Sequence, residues 1–325
     1  MTKSIFITGG SSGIGLSTAR EFKKNGYRVG ICGRNQQKLD ALKGEFEVFN
    51  VDVVEREKLQ YAIEKFAEGG LDIVFANAGV SHKEKTKIPD FEDCRKIIDI
   101  NINGVLNTFE PAVSIFLKQG HGHLIATSSV AGFNGHPGVG AYGAAKSFTM
   151  KLCETFQIDL RRSGIKTICV VPGFIDTPLT QKNNHSMPLI GSSEAIATKI
   201  YQAVIKDRAN VYYPRTFATL VRALSLLPRG IYRKFMSLER FNYSSKEKAE
   251  FFFDKSSLSK ETQELQKEKK TFDSPCVSIC DYEMVGDEKI CQTCKLISTE
   301  KSAWKETTDL KVKNKIAKKV MQRRL

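Results

Sequence analysis

Tyr142 and Lys146 stand four residues apart in Tyr142-Gly143-Ala144-Ala145-Lys146, and Ser129 precedes the tyrosine by thirteen residues. Residues four apart on a helix share a face, one turn from each other. Together the three side chains offer a phenol to give a proton, an ammonium to tune it and a hydroxyl to hold a carbonyl oxygen. A free phenol titrates near 10, so it needs a neighbouring cation to exchange protons near neutrality. Such a set would interconvert a carbonyl and an alcohol, provided the rest of the chain binds a hydride donor.

The elements that must position these groups follow from pattern. Residues 4–8 form a β-branched and aromatic run that ends in Gly9-Gly10-Ser11-Ser12-Gly13-Ile14-Gly15, and a helical pattern then runs to Asn25-Gly26. A glycine turn between a strand and a helix brings backbone N–H groups and the positive end of the helix dipole to a phosphate. Its spacing is T-G-x-x-x-G-x-G, not G-x-G-x-x-G. Further strands are predicted over 27–32, 46–51, 71–76, 122–128, 165–171 and 210–213. Helices are predicted over 36–42, 55–68, 90–118 (with a break), 142–163 and from an N-cap at Ser193 to about 206. Residues 174–192 read as a loop, the usual place for a substrate lid. Alternating helices and nearly continuous apolar strands indicate an α/β fold with a parallel sheet covered on both faces.

With the motifs in place, residues 3–235 resemble the short-chain dehydrogenase/reductase family. Thr8–Gly15, Asn77-Ala78-Gly79, Asn101, Ser129 with Tyr142-x-x-x-Lys146, and Pro172-Gly173 occur in that family's order and spacing. The resemblance implies a Rossmann-type, doubly wound sheet of about seven parallel strands, a nicotinamide cofactor and carbonyl/alcohol chemistry. It casts Tyr142 as the proton donor, Lys146 as the cation and ribose ligand, and Ser129, rather than Ser128, as the hydroxyl on the substrate oxygen. Asn101 would complete a water relay to Lys146, with Asn103 as the competitor. Gly9, Ser11, Ser12, Gly13, Ile14 and Gly15 would hold the pyrophosphate, Asp52 and Val53 would border the adenine, and Asn77, Ala78 and Gly79 would complete the cofactor site. Pro172, Gly173, Ile175 and Thr177 would hold the nicotinamide end. At the end of the second strand Gly33-Arg34 stands where NAD-preferring members keep an acid, which favours NADP(H) over NAD(H). Arg34 stacking on the adenine is the other reading.

The 325 residues carry a formal charge of +14, with nine Lys or Arg between Lys301 and Leu325 against Glu306 and Asp309. No apolar run reaches the roughly 18–20 residues that span a bilayer. The N-terminus enters a strand at once, without the pattern of a signal peptide. A cytoplasmic protein is expected. Residues 215–242 alternate apolar and basic side chains around Pro228. They read either as a helix pair covering the substrate pocket or as an interfacial helix docking on anionic membrane.

Cys32, Cys94, Cys153 and Cys169 sit among apolar residues, as buried free thiols do. A charged linker over 243–273 leads to Cys276, Cys280, Cys291 and Cys294, packed within nineteen residues. In a reducing compartment four thiolates at this spacing suit Zn2+ or an iron–sulfur cluster. A metal would also staple a module over 274–325 that is too small for a comfortable core. The module resembles a small cysteine-rich bacterial domain family of unassigned function, and it reads as a structural knot or as a docking and sensing device.

These observations predict residues 1–242 as a catalytic domain that uses NADP(H) on a small hydrophobic or lipid-like ketone and assembles as a homo-oligomer. A metal-stapled C-terminal module would follow. The competing prediction is a membrane- or nucleic-acid-associated adaptor or redox sensor working through the cysteine module, with nucleic acid the less favoured partner.

Overall fold

A computed structural model describes residues 2–81, 89–181 and 189–237, the backbone of 282–285 and 288–291, and Ile316. The chain divides into two units, Met1–Lys248 and Ala249–Leu325.

The first unit is built on seven parallel strands, β1 (Ser4–Thr8), β2 (Arg28–Gly33), β3 (Glu47–Asn50), β4 (Ile73–Ala76), β5 (Gly122–Thr127), β6 (Ile165–Pro172) and β7 (Asn210–Tyr213), in the spatial order β3-β2-β1-β4-β5-β6-β7. The connections between them carry α1 (Gly13–Lys24), α2 (Gln36–Asp40), α3 (Arg56–Ala67), α4 (Phe91–Ile98), α5 (Gly104–Gln119), α6 (Gly140–Asp159) and α7 (Ser193–Ile205). Successive strand side chains point to opposite faces. Ile5, Ile7, Ile31, Phe75 and Ile125 therefore pack with Phe22, Leu39, Ile196 and Ile200 on one side of the sheet. On the other side Phe6, Val74, Leu124 and Ala126 pack with Ile63, Phe66, Phe109 and Phe116. Both faces are apolar because both are covered, which is why these strands read as continuous hydrophobic runs. The doubly wound α/β expectation holds for this unit.

Several boundaries differ from the sequence reading. The predicted helix over 90–118 is α4, a π-helical turn at Asp99–Asn103, and α5. α6 begins at Gly140, two residues earlier than expected, and ends at Asp159 before a 3-10 turn, Arg161–Ser163, closed by left-handed Gly164. The N-cap of α7 is Ser192, not Ser193. Extended Ser192 accepts a hydrogen bond from Ala195 N–H at 3.1 Å, while the Ser193 hydroxyl turns to Ser17 and Glu194. Cys32, Cys153 and Cys169 are buried as expected, but Cys94 is only half-buried on α4.

After β7 the basic segment folds as α8 (Arg215–Ser225) and α9 (Arg229–Met236), with Pro228 opening the second helix. In the second unit, β8 (Tyr282–Val285) and β9 (Glu288–Cys291) form an antiparallel hairpin with Tyr282 opposite Cys291. The predicted linker over 243–273 lies outside the described residues, as do Cys276, Cys280 and Cys294. No group of His, Cys, Asp or Glu able to hold a metal occurs among the described residues.

Candidate active site

The strand order reverses between β1 and β4, and in an open parallel sheet the crevice at the carboxyl ends of such neighbours is where ligands bind. A cleft of about 610 Å³ lies there. Of the site residues predicted in the first unit, all except Gly15 line it.

Two of the three chemical groups come from α6 and the third from the turn after β5. Ser129 is extended, accepts a hydrogen bond from Ala131 N–H at 3.2 Å and lines the cleft together with Tyr142. Ser128 instead donates to the Lys146 carbonyl oxygen at 2.7 Å, tying the turn to α6. The two adjacent serines thus divide into one that faces the phenol and one that fixes the backbone. Gly132 allows the approach, since a Cβ there would come within 2.8 Å of the Lys146 carbonyl carbon.

Lys146 is 3 % exposed and donates from Nζ to the Thr127 carbonyl oxygen at 2.9 Å. Desolvation pulls its ammonium down to about 8. Tyr142 moves the other way: loss of solvent raises its phenol above 10, and the Ser129 hydroxyl partly offsets this. Among the described residues Lys146 makes no hydrogen bond to the Tyr142 hydroxyl. Nζ sits 5.6 Å from the phenol ring centroid and gives its hydrogen bond to Thr127.

Asn101 is fully buried in the π-turn. Its Nδ2 donates to the carbonyl oxygens of Val80 at 2.9 Å and Ile97 at 3.0 Å, while its buried Oδ1 has no partner among the described residues. A Cβ on Gly79 would lie 2.8 Å from that Oδ1 and 3.4 Å from Lys146 Nζ, so both atoms border the space kept open by Gly79. An orphaned buried acceptor beside an ammonium is a place for a bridging water. Asn103, the competitor, is exposed and bonds Asp99 instead.

The phosphate end is a cradle of main chain. Gly9 and Gly13 take left-handed backbone at φ 65° and 52°. A side chain at Gly9 would strike Ala78, and one at Gly15 would meet the Gly9 carbonyl oxygen at 2.3 Å. Gly15 therefore does not line the cleft; it packs α1 against the turn. The N-cap of α1, Ser12, makes no side-chain capping bond, and the first turn holds no acid, so the helix N-terminus is left for an anion. Asn77, bonded to Thr127 and to the Thr8 and Gly9 carbonyl oxygens, braces the turn.

At the adenine end Arg34 pairs with Asp52 at 3.3 Å and is half exposed. Lys38 and Asn35 also line the cleft, and sequence reasoning missed both. The signal available was Lys38 four residues beyond Arg34, on a helix opened by Asn35, whose Oδ1 accepts from Lys38 N–H. Val80, Thr127, Leu179 and Thr180 were likewise unforeseen.

At the end predicted to hold the nicotinamide, Ile175 pairs with Gly191 across the base of the 174–192 loop, and Thr177 and Thr180 hydrogen-bond each other. Residues 182–188 of that loop lie outside the described residues. Phe217 of α8 packs against Gly173 and Phe174, and Tyr232 of α9 donates to the Gly135 carbonyl oxygen at 2.9 Å.

Comparison with known proteins agrees with this geometry. The short chain dehydrogenase family model matches residues 3–188. An oxidoreductase of Myxococcus xanthus is 33% identical over 239 residues, covering 71% of this chain and 94% of its own. The 3-oxoacyl-acyl-carrier-protein reductase FabG of Thermotoga maritima is 31% identical over 189 residues, covering 55% and 77%. The solved structure of ElxO with NADP bound, 28% identical, aligns with a TM-score of 0.60 over 65% of this chain and 97% of its own.

Proposed function

The chain belongs to the short-chain dehydrogenase family, oxidoreductases of CH–OH groups, and from that premise we propose that it reduces a hydrophobic, lipid-like ketone with NADP(H). The observation that carries this reading is the convergence of Ser129, Tyr142 and Lys146 on the wall of one cleft, with Lys146 Nζ 5.6 Å from the phenol ring centroid. The glycine cradle, the uncapped α1 N-terminus and the orphaned Asn101 Oδ1 fit a dinucleotide and its attendant water. A reduced nicotinamide held by these residues would supply the hydride for the carbonyl carbon.

Ser129 and Tyr142 hold the carbonyl oxygen between two hydroxyls, and the phenolic proton passes to it as negative charge develops. Lys146 stabilises the phenolate left behind. Asn101 Oδ1 holds a water next to Lys146 Nζ through which the lost proton is replaced. Val80, Pro178 and Leu179 give the cleft an apolar side suited to a hydrophobic substrate. Arg34 and Lys38 supply two positive charges for a 2′-phosphate, and Gly33 leaves room for it. NADP in the bound ElxO structure supports the same choice.

The thiolate set Cys276, Cys280, Cys291 and Cys294 is proposed to bind Zn2+ or an iron–sulfur cluster. The chemistry of four soft donors supports it, and the open end of the β8–β9 hairpin is at Tyr282 and Cys291.

The test is turnover of a ketone panel with NADPH. Tyr142→Phe is expected to lower kcat by about 10²–10⁴-fold with cofactor affinity unchanged, the range for loss of a general acid; near-wild-type turnover would overturn the mechanism. Arg34→Asp is expected to reverse a preference for NADPH over NADH. The cofactor assignment is wrong if the wild type binds NADH tighter and the variant leaves that order unaltered.

A further inference from the structure

α8 and α9 present a face that water does not suit. Leu226 is 82% exposed, Ile231 58% and Leu220 57%. Among these side chains stand Arg215, Arg222, Arg229, Arg233 and Lys234, all exposed. None of the five forms an ion pair among the described residues, and no Asp or Glu occurs from Arg208 to Ser237. Ala218, Phe217 and Val221 take the inward face of α8, so helical geometry puts Arg215, Arg222 and the C-cap Leu226 along one side of its outer face and Leu220 along the other. Cations flanking exposed leucines on short helices match the requirements of an interface between water and lipid.

We propose that the α8–α9 face docks on a bilayer containing anionic phospholipid. Charge selects this occupant over the alternatives. A second copy meeting the face through a two-fold axis would set five cations against five. The segment 249–325 carries 16 Lys or Arg and 13 Asp or Glu, a net charge of +3, so it offers no negative complement as a whole. RNA would satisfy the arginines and leave Leu220, Leu226 and Ile231 in water. A bilayer takes both, with phosphates on the guanidinium groups and acyl chains on the leucines. α8 also touches the lining of the cleft, through Phe217 on Gly173. Docking would thus bring the cleft to the lipid surface. That consequence for substrate entry rests on the proposed ketone reductase activity, whereas docking itself does not.

Sedimentation of the full chain with vesicles of phosphatidylglycerol and phosphatidylcholine tests the proposal. Binding is expected at low salt, with loss in 0.5 M NaCl and on pure phosphatidylcholine. Each Lys or Arg near such a surface contributes about fivefold in partitioning, so Arg222→Glu with Arg229→Glu should weaken it by at least about 25-fold. Leu226→Ser with Ile231→Ser should also weaken it, with NADPH-dependent turnover in solution kept in both double variants. Circular dichroism melts confirm that the variants fold, and the comparison of vesicle compositions requires no variant. Absence of binding to anionic vesicles at low salt would overturn the proposal. So would vesicle binding that the variants leave intact, which would place it in the basic segment 301–325. Preferential capture of RNA, or loss of a dimer in the variants measured by light scattering, would assign the face to those partners instead.

Discussion

Replacing Lys146 by Met should remove activity and, in the cofactor-free protein, increase stability at neutral pH. Lys146 is buried, and burial lowers it from 10.5 to about 8. At roughly 1.36 kcal/mol per pH unit, keeping the ammonium charged in the folded protein costs about 3 kcal/mol. Methionine fills a similar volume without the charge but gives up the hydrogen bond to the Thr127 carbonyl oxygen, worth about 1 kcal/mol. The variant should therefore be about 2 kcal/mol more stable at pH 7. The sign of the pH dependence follows from linkage. Below about 8 both folded and unfolded chains carry the proton, and the full cost is present. Between about 8 and 10.5 the folded protein releases it first, so wild-type stability rises with pH, by about 2 kcal/mol from pH 7 to pH 9.5. The advantage of Lys146→Met should shrink to under about 0.5 kcal/mol over that interval. Urea unfolding followed by far-UV circular dichroism measures this. Tryptophan fluorescence would not, because the single tryptophan, Trp304, lies in the other unit. A Met variant less stable than wild type at pH 7, or a wild type whose stability is flat to pH 9.5, would refute the reasoning.

Gly79→Ala should fill the space between Asn101 Oδ1 and Lys146 Nζ and slow turnover about tenfold or more; steady-state kcat with KM for NADPH separates this from a cofactor-binding defect. Tyr232→Phe breaks the bond from α9 to the Gly135 carbonyl oxygen at a cost of about 1 kcal/mol. It is expected to raise KM for a ketone substrate while kcat stays within about twofold. Metal analysis of anaerobically purified protein should find Zn2+ or iron, and Cys291→Ser with Cys294→Ser should abolish it without loss of NADPH binding.

Much of the site was legible because its parts are local. A strand followed by Gly9–Gly15 positions a phosphate cradle by itself, and Tyr142 with Lys146 needs only one helix. The choice of Asn101 over Asn103 was not available from the residues themselves, since an α-helical wheel cannot show a π-turn; the turn buries Asn101 and leaves Asn103 outside. Lys38 escaped notice because a lysine on a short amphipathic helix looks like a solvated charge, and only the fold brings α2 to the rim of the cleft. The ammonium effect on Tyr142 could not be read either. It depends on which hydrogen bond Lys146 makes, and that is set by a carbonyl at the end of a different strand. The four C-terminal cysteines form a clear pattern in sequence but include residues outside those described, and there the residues alone carry the reading.

The turn at Asp99–Asn103 also sets the phase of the helices around it. A residue added to a helix rotates everything beyond it by about 100°, so α4 and α5 are wound out of step on either side of this turn. In that offset α4 buries Ile97 while α5 buries Val105, Phe109, Ala112 and Phe116. Shortening the turn by one residue would give a regular helix and a satisfied backbone ladder, but it would swing α4 from its seat or carry Asn101 out of the cleft. Natural length variation in this segment therefore belongs before Phe91 or after Gln119. A more regular helix here would be bought with the unpartnered acceptor, Asn101 Oδ1, that borders the same space as Lys146 Nζ.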